Sequence, residues 1–226
     1  MPDILHELWA IVNNAGIHKG IIIDTTRIED FKDCMEVNTF GPLRVTKAFL
    51  PLLKETKGRI VNVTSIAGRM PVSHVAPYIM SKYAAVAFND CLRQEMSSWG
   101  ISVVSVEPEL FKTELTNLEK TKERINESIS ATPSTLSKEY GEDYFQTFNN
   151  SMSSFVNLAS PHVGIVVKDL EAAVSLKYPD NHYRPRRNLF YRFILLCYIM
   201  FPSRIQDLII KIGMVCIKAP RPPTSH

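Results

Sequence analysis

The chain has 226 residues, 45% of them hydrophobic, a composition that supports one globular domain with a sizeable core and excludes a disordered or fibrous chain. A net charge of +3, with no Lys/Arg run interleaved with aromatics, argues against a nucleic-acid surface. The four cysteines and six histidines show neither CxxC nor Cys/His ligand spacing, so free or buried thiols of a reducing compartment and no metal site are expected.

The opening residues MPDILHELWA lack the basic start, apolar middle and small-residue cleavage site of a signal peptide. Three apolar runs then read as buried parallel strands: Leu8–Val12, Arg59–Ser65 and Ile101–Val106. Unbroken Val/Ile runs, rather than strict alternation, are expected where both sheet faces are covered. Between them, Ile28–Leu53 and Ala76–Trp99 carry apolar residues at helical spacing, the second closed by Gly100. Strand, helix, strand, helix, strand predicts an open parallel α/β sheet with right-handed crossovers.

All three strands end in polar or turn-forming residues: Asn13-Asn14-Ala15-Gly16, Thr64-Ser65 and Glu107-Pro108. In such sheets ligands lie beyond the carboxyl ends of the strands, so the chemistry is expected there. Residues 114–160 are polar with weak helical periodicity and read either as a substrate-covering excursion or as a solvated one. An amphipathic helix, Val163–Leu176, follows. Leu189–Phe201 is the most apolar stretch, but it carries Arg192 and falls short of the roughly 18 uncharged residues of a membrane span. Three segments result: 1–115, 116–188 and 189–226.

Tyr78-Ile79-Met80-Ser81-Lys82 places a phenol and an ammonium at i and i+4 of a predicted helix, one turn apart. An ammonium that close should lower the tyrosine pKa toward that of a working acid/base. Alone, this YxxxK reads more readily as an exposed helical pair. Its surroundings strengthen it: Ser65 at a strand end, Asn38 within the intervening helix, and the tight Asn14-Ala15-Gly16 turn all converge on the same edge.

Together VNNAG, VNTFG, NVTSIAG, YIMSK and VEPELFKT resemble the short-chain dehydrogenase/reductase family over Leu8 to about Leu115. LWAIVNNAG, KEYGEDYF and the late HYRP resemble its branch of retinol, 17β-hydroxysteroid and 3-hydroxybutyrate dehydrogenases. The resemblance implies a Rossmann-type doubly wound fold and NAD or NADP as cofactor. It implies Tyr78 as acid/base, Lys82 lowering its pKa and bonding the nicotinamide ribose, and Ser65 polarising the substrate oxygen. It gives Asn38 a water linking Lys82 to solvent. Asn14, Ala15 and Gly16 would line the cofactor's ribose side, and Pro108 and Thr113 its nicotinamide end.

Two departures stand out. The family's glycine after Pro108 is Glu109 here, which would either weaken cofactor binding or point to solvent. The family's opening strand and glycine-rich phosphate turn have no counterpart in these residues; Gly16–Gly20 follows the wrong strand. The fold is therefore expected to lack three strand–helix units and to leave Leu8–Val12 as an edge. A fragment or splice form of an active enzyme is expected, with at most feeble cofactor binding by these residues alone.

The implied substrate is a lipid-like alcohol or ketone, a retinoid or steroid, with a 3-hydroxybutyrate-type hydroxy acid as the alternative. A non-catalytic truncated relative acting by binding is the competing class. The apolar C-terminal segment, flanked by Arg184, Arg186 and Arg187, would either touch a membrane surface or pack on the domain or on a homodimer partner. The expected location is intracellular, at the endoplasmic reticulum membrane or mitochondrion.

Overall fold

The computed structural model of the chain describes residues 8–220. Its sheet has four parallel strands in sequence order: β1 (Ala10–Asn13), β2 (Arg59–Val63), β3 (Ser102–Val106) and the short β4 (His182–Tyr183). Helices α1 (Ile28–Met35), α2 (Gly41–Thr56), α3 (Ala76–Ser97) and α7 (Gly164–Ser175) flank it. Residues 118–157 fold into α4 (Leu118–Ser130), α5 (Ser134–Tyr140) and α6 (Glu142–Asn157). The chain continues to α8 (Leu189–Met200) and α9 (Ser203–Cys216).

Strand periodicity of two sorts the core into layers. Ile11, Ile60 and Val103 face α2 and α3, where Leu53, Leu92 and Met96 cover them. Their neighbours Val61 and Val104 face the other way, onto Ala173, Val166 and Leu170 of α7. Both faces of the central strands are thus buried, as their unbroken apolar runs require. A third cluster joins Ile21, in the segment after β1, to Ile125 of α4 and to Tyr144, Phe145 and Phe148 of α6.

Three polar residues that interrupt the apolar pattern tie layers together. Arg59 opens β2 yet is buried, because its guanidinium donates to the carbonyls of Ala173 (2.7 Å), Val174 (2.8 Å) and Leu176 (2.7 Å) at the C-terminus of α7. Asn13 donates to Asn62 (2.8 Å), which donates to Asn89 of α3 (2.9 Å), an amide chain running from β1 through β2.

The predicted single helix over 28–53 is instead α1, a π-helical turn (Glu36–Phe40) and α2. Pro42 has no N–H to offer the Asn38 carbonyl four residues back, so the α-helical ladder breaks there. The weakly periodic 114–160 region is mostly helical.

Candidate active site

The carboxyl edge of the sheet is built by backbone contacts between strand ends. Thr64 N donates to the Val106 carbonyl (2.8 Å) and Ile66 N to that of Pro108 (3.0 Å). Ser65 is extended, and its Oγ accepts from Ala67 N (3.1 Å), starting a 3₁₀ turn over Ile66–Gly68. A Cβ on Gly68 would stand 2.6 Å from the Lys82 carbonyl and from Val86 Cγ2. Only glycine lets this turn sit on α3, which holds Ser65 beside the helix carrying Tyr78 and Lys82. Gly68→Ala is therefore expected to cost about 1–3 kcal/mol through overpacking against backbone. Urea unfolding should register the loss, and turnover should fall with it as Ser65 is displaced.

Tyr78 lies beside Ser65, and Lys82 Nζ lies 5.8 Å from the Tyr78 ring centroid. Here the structure corrects the expectation from YxxxK spacing. Burial pushes the Tyr78 phenol above its ordinary pKa, with the nearby Ser65 hydroxyl pulling the other way. Lys82 is itself buried, which lowers its pKa to about 8, and its ammonium is directed at the Val63 carbonyl (3.3 Å). Desolvation outweighs attraction between the two groups.

Asn38 is buried, and its amide is almost fully engaged. Its Nδ2 donates to the Ile17 carbonyl (2.9 Å) and to Ser81 Oγ (2.8 Å), while Oδ1 accepts from Ile17 N (2.8 Å). Thr39 Oγ1 donates to the Ser81 carbonyl (2.9 Å), and Ser81 Oγ donates to that of Tyr78 (2.7 Å). The π turn is thereby bolted to α3 at the level of Tyr78 and Lys82. Any water on Asn38 is left the second lone pair of Oδ1 and the main chain.

Gly16 reaches the same place: a Cβ there would stand 3.4 Å from Asn38 Oδ1 and 3.7 Å from Lys82 Nζ. Glycine keeps the approach to the ammonium open, and Lys82, with one acceptor among the described residues, retains N–H donors for ribose hydroxyls. The residues present fit a nicotinamide nucleotide at this edge. Asn14 and Ala15 are exposed beside Gly16. Thr113 stands apart; it is exposed and forms a capping box with Thr116.

Glu109 neither blocks this edge nor points to solvent. Its carboxylate accepts hydrogen bonds from Arg187 N and Nε, turning it toward the C-terminal segment. Arg184 and Arg186 are likewise engaged: Arg184 Nε donates to the Glu107 carboxylate (3.0 Å) and Arg186 Nη1 to the Glu107 carbonyl (2.7 Å). The three arginines expected to flank a membrane contact instead clamp the end of β3.

Sequence reasoning missed four residues of the site. Ser81 and Thr39 sit inside quoted motifs and carry the α3 junction. Gly68 makes the close approach. His18 packs against Tyr78 with ring centroids 5.2 Å apart and planes tilted by 59°, and burial together with Arg124 lowers its pKa to about 4. The Gly-Pro following VNTF was the one available signal for the π turn; nothing in the sequence marked His18.

A parallel sheet covered on both faces, with polar groups gathered at its carboxyl edge, defines a Rossmann-type α/β protein. A short-chain dehydrogenase from Streptomyces avermitilis superposes with a TM-score of 0.61 at 19% identity, covering 92% of this chain and 69% of that one. Another, from Burkholderia cenocepacia and solved in complex with NADP, superposes at 0.57 and 21% identity, covering 84% and 65%. The family model for short chain dehydrogenases matches residues 1–124, and the chain belongs to that family.

Among curated relatives, estradiol 17-beta-dehydrogenase 2 of Mus musculus is 34% identical over 95% of this chain and 56% of its own length. For human 17-beta-hydroxysteroid dehydrogenase type 6 the values are 35%, 90% and 63%. For mitochondrial D-beta-hydroxybutyrate dehydrogenase of Bos taurus they are 38%, 88% and 59%. The chain thus spans a little over half the length of these relatives.

Proposed function

We propose that the natural product of this gene is an NAD- or NADP-dependent oxidoreductase acting on the hydroxyl or carbonyl of a lipid-like alcohol. The observation that carries this reading is the juxtaposition of Ser65 and Tyr78 beside a buried Lys82 at the sheet's carboxyl edge. In alcohol oxidation, the hydroxyl proton passes to the Tyr78 oxygen as the carbonyl forms. The bound nicotinamide supplies the acceptor for the hydride and its electron pair. Ser65 orients the substrate oxygen. Lys82 holds the ribose and the local positive charge, Gly16 and Pro108 border the cofactor, and Asn38 fixes the π turn against α3. Segment 116–188 covers the substrate.

The test is NAD- and NADP-linked turnover of retinoid, steroid and 3-hydroxybutyrate substrates by the natural product. No turnover of any alcohol or carbonyl compound would sink the reading. Steroid alcohols come first because two of the three relatives above are named as estradiol or hydroxysteroid dehydrogenases.

A peripheral membrane contact belongs to the same reading. Among the described residues no helix is long and apolar enough to cross a membrane. However, α8 and α9 expose Phe193, Leu196, Met200, Leu208 and Ile212, with Arg192, Arg204 and Lys211 also exposed. That pattern suits a helix pair lying in an anionic interface, such as that of the endoplasmic reticulum or a mitochondrion. Replacing Phe193, Met200 and Leu208 together by serine is expected to abolish co-flotation with anionic liposomes while leaving turnover of a soluble substrate intact. If the variant still floats, the surface is wrongly assigned; a wild type that is dimeric and a variant that is monomeric would make it a subunit interface.

A further inference from the structure

The residues that end β3, Glu107-Pro108-Glu109, are gripped from one side by segment 183–187. Glu107 N donates to the Tyr183 carbonyl (2.8 Å) and Glu109 N to that of Pro185 (3.4 Å). The Glu109 carboxylate accepts from Arg187 N and Nε, and the Glu107 carboxylate from Arg184 Nε (3.0 Å). On the other side, the Pro108 carbonyl accepts from Ile66 N (3.0 Å), the residue after Ser65. The turn is thus a bridge between the C-terminal segment and the serine beside Tyr78.

Arg186 is the costly member of this bridge. It is 7% exposed and makes no ion pair among the described residues, although Glu107 and Glu109 are near enough to act on its charge. Those two carboxylates are occupied by Arg69, Arg184 and Arg187. Arg186 Nε and Nη2 are buried without an acceptor among the described residues. Burial lowers its pKa to about 10. A buried cation with no hydrogen-bonded carboxylate is destabilising relative to an apolar side chain of like volume. Its Nη1 donates to the carbonyls of Glu107 (2.7 Å) and Pro185 (2.8 Å). The guanidinium therefore holds main chain, tying the peptide that precedes Pro108 to the segment opposite.

Resting on the catalytic reading above, we infer that Arg186 is a positioning residue: it fixes the Glu107–Pro108 peptide, and the Pro108–Ile66 bond carries that restraint to Ser65, keeping its hydroxyl beside Tyr78. The Ser65 hydroxyl draws the phenol's pKa down against the effect of burial. Loosening the bridge then has a signature that mere loss of stability lacks, a rise in that pKa. His18, Cys34 and Lys82 also face Tyr78, from the segment after β1, from α1 and from α3. Among the described residues none of the three is hydrogen-bonded to the 107–109 turn, so the bridge acts on Tyr78 through Ser65 and not through them.

The test reads the Tyr78 pKa directly, by NMR of the natural product labelled at the tyrosine Cζ, with Y78F assigning the signal. R186M is expected to raise that pKa and to lower kcat roughly 10- to 100-fold with KM little changed, the scale of a displaced catalytic group. S65A should raise the pKa as well, and adding R186M to S65A should raise it no further. A further rise in the double variant would mean that Arg186 acts on Tyr78 through its charge, and overturns the inference. R59M controls for general loosening: it loses three carbonyl bonds at the opposite end of the sheet and should leave the Tyr78 pKa in place. A pKa that R186M leaves unmoved, or that R59M moves equally, also overturns the inference. Where R186M does not fold, R186K decides, because it keeps the charge but not the reach of the guanidinium. An upward shift in R186K upholds the inference, and an unchanged pKa overturns it. The NMR reading needs no turnover: a natural product that oxidises no alcohol yet shows the R186M shift loses the catalytic reading and keeps the positioning one.

Discussion

Replacing Tyr78 by phenylalanine is expected to lower kcat of the natural enzyme about 100- to 10,000-fold, the usual worth of a positioned acid/base. KM should change little, because the ring and its packing against His18 remain. The phenol's raised pKa gives the pH profile a definite sign. At neutral pH Tyr78 is protonated, the form that donates to a carbonyl oxygen, so reduction runs on the populated species. Alcohol oxidation needs the phenolate, and its rate should climb as pH rises toward the alkaline range. Steady-state kinetics in both directions between pH 6 and 10 check this. A wild-type oxidation rate that falls over that range would mean another group is the base.

Glu107→Ala is expected to be the most damaging change to stability. This carboxylate is completely buried at the end of β3. It accepts from Arg69 Nη2 (2.9 Å) and Arg184 Nε (3.0 Å), with His182 Nδ1 at 3.4 Å. Burial alone would raise its pKa, but the adjacent His182 ring, the Arg69 hydrogen bonds and the Arg69 and Arg184 charges outweigh that and hold it down at about 2. Removing it leaves Arg184 without its carboxylate and Arg69 with only the longer contact to Asp90 (3.5 Å), a loss of about 3 kcal/mol or more. In a chain of this size the melting temperature should drop by roughly 10 °C or more.

The folded-state pKa of Glu107 lies below its ordinary 4.5, so its contribution is fully present above that pH and is lost as pH falls toward 2. The gap between wild type and E107A in urea melts should therefore narrow from pH 6 to pH 3. A gap that stays constant would assign the loss to packing. The same clamp explains Glu109: the two glutamates of VEPE meet the arginines of the RPRR segment 184–187, so the residue in the family's glycine position is held by Arg187. Sequence separation of nearly 80 residues hid that pairing.

The sequence alone determined the parallel sheet, because strands buried on both faces must be apolar throughout and helices on those faces must carry a stripe of their own. It also determined which residues gather at the carboxyl edge, since strand ends and helix register follow from periodicity. Ser65, Tyr78, Lys82 and Asn38 were legible for that reason. Only the tertiary structure decided their protonation and their partners. The i, i+4 spacing of Tyr78 and Lys82 says how close they are but not how dry, and dryness sets both pKa values. Likewise His18 and Arg124 come from separate segments and share no spacing with Tyr78. Their meeting depends on how α4 and α6 fold back over residues 16–20, a matter of packing that one-dimensional pattern does not encode.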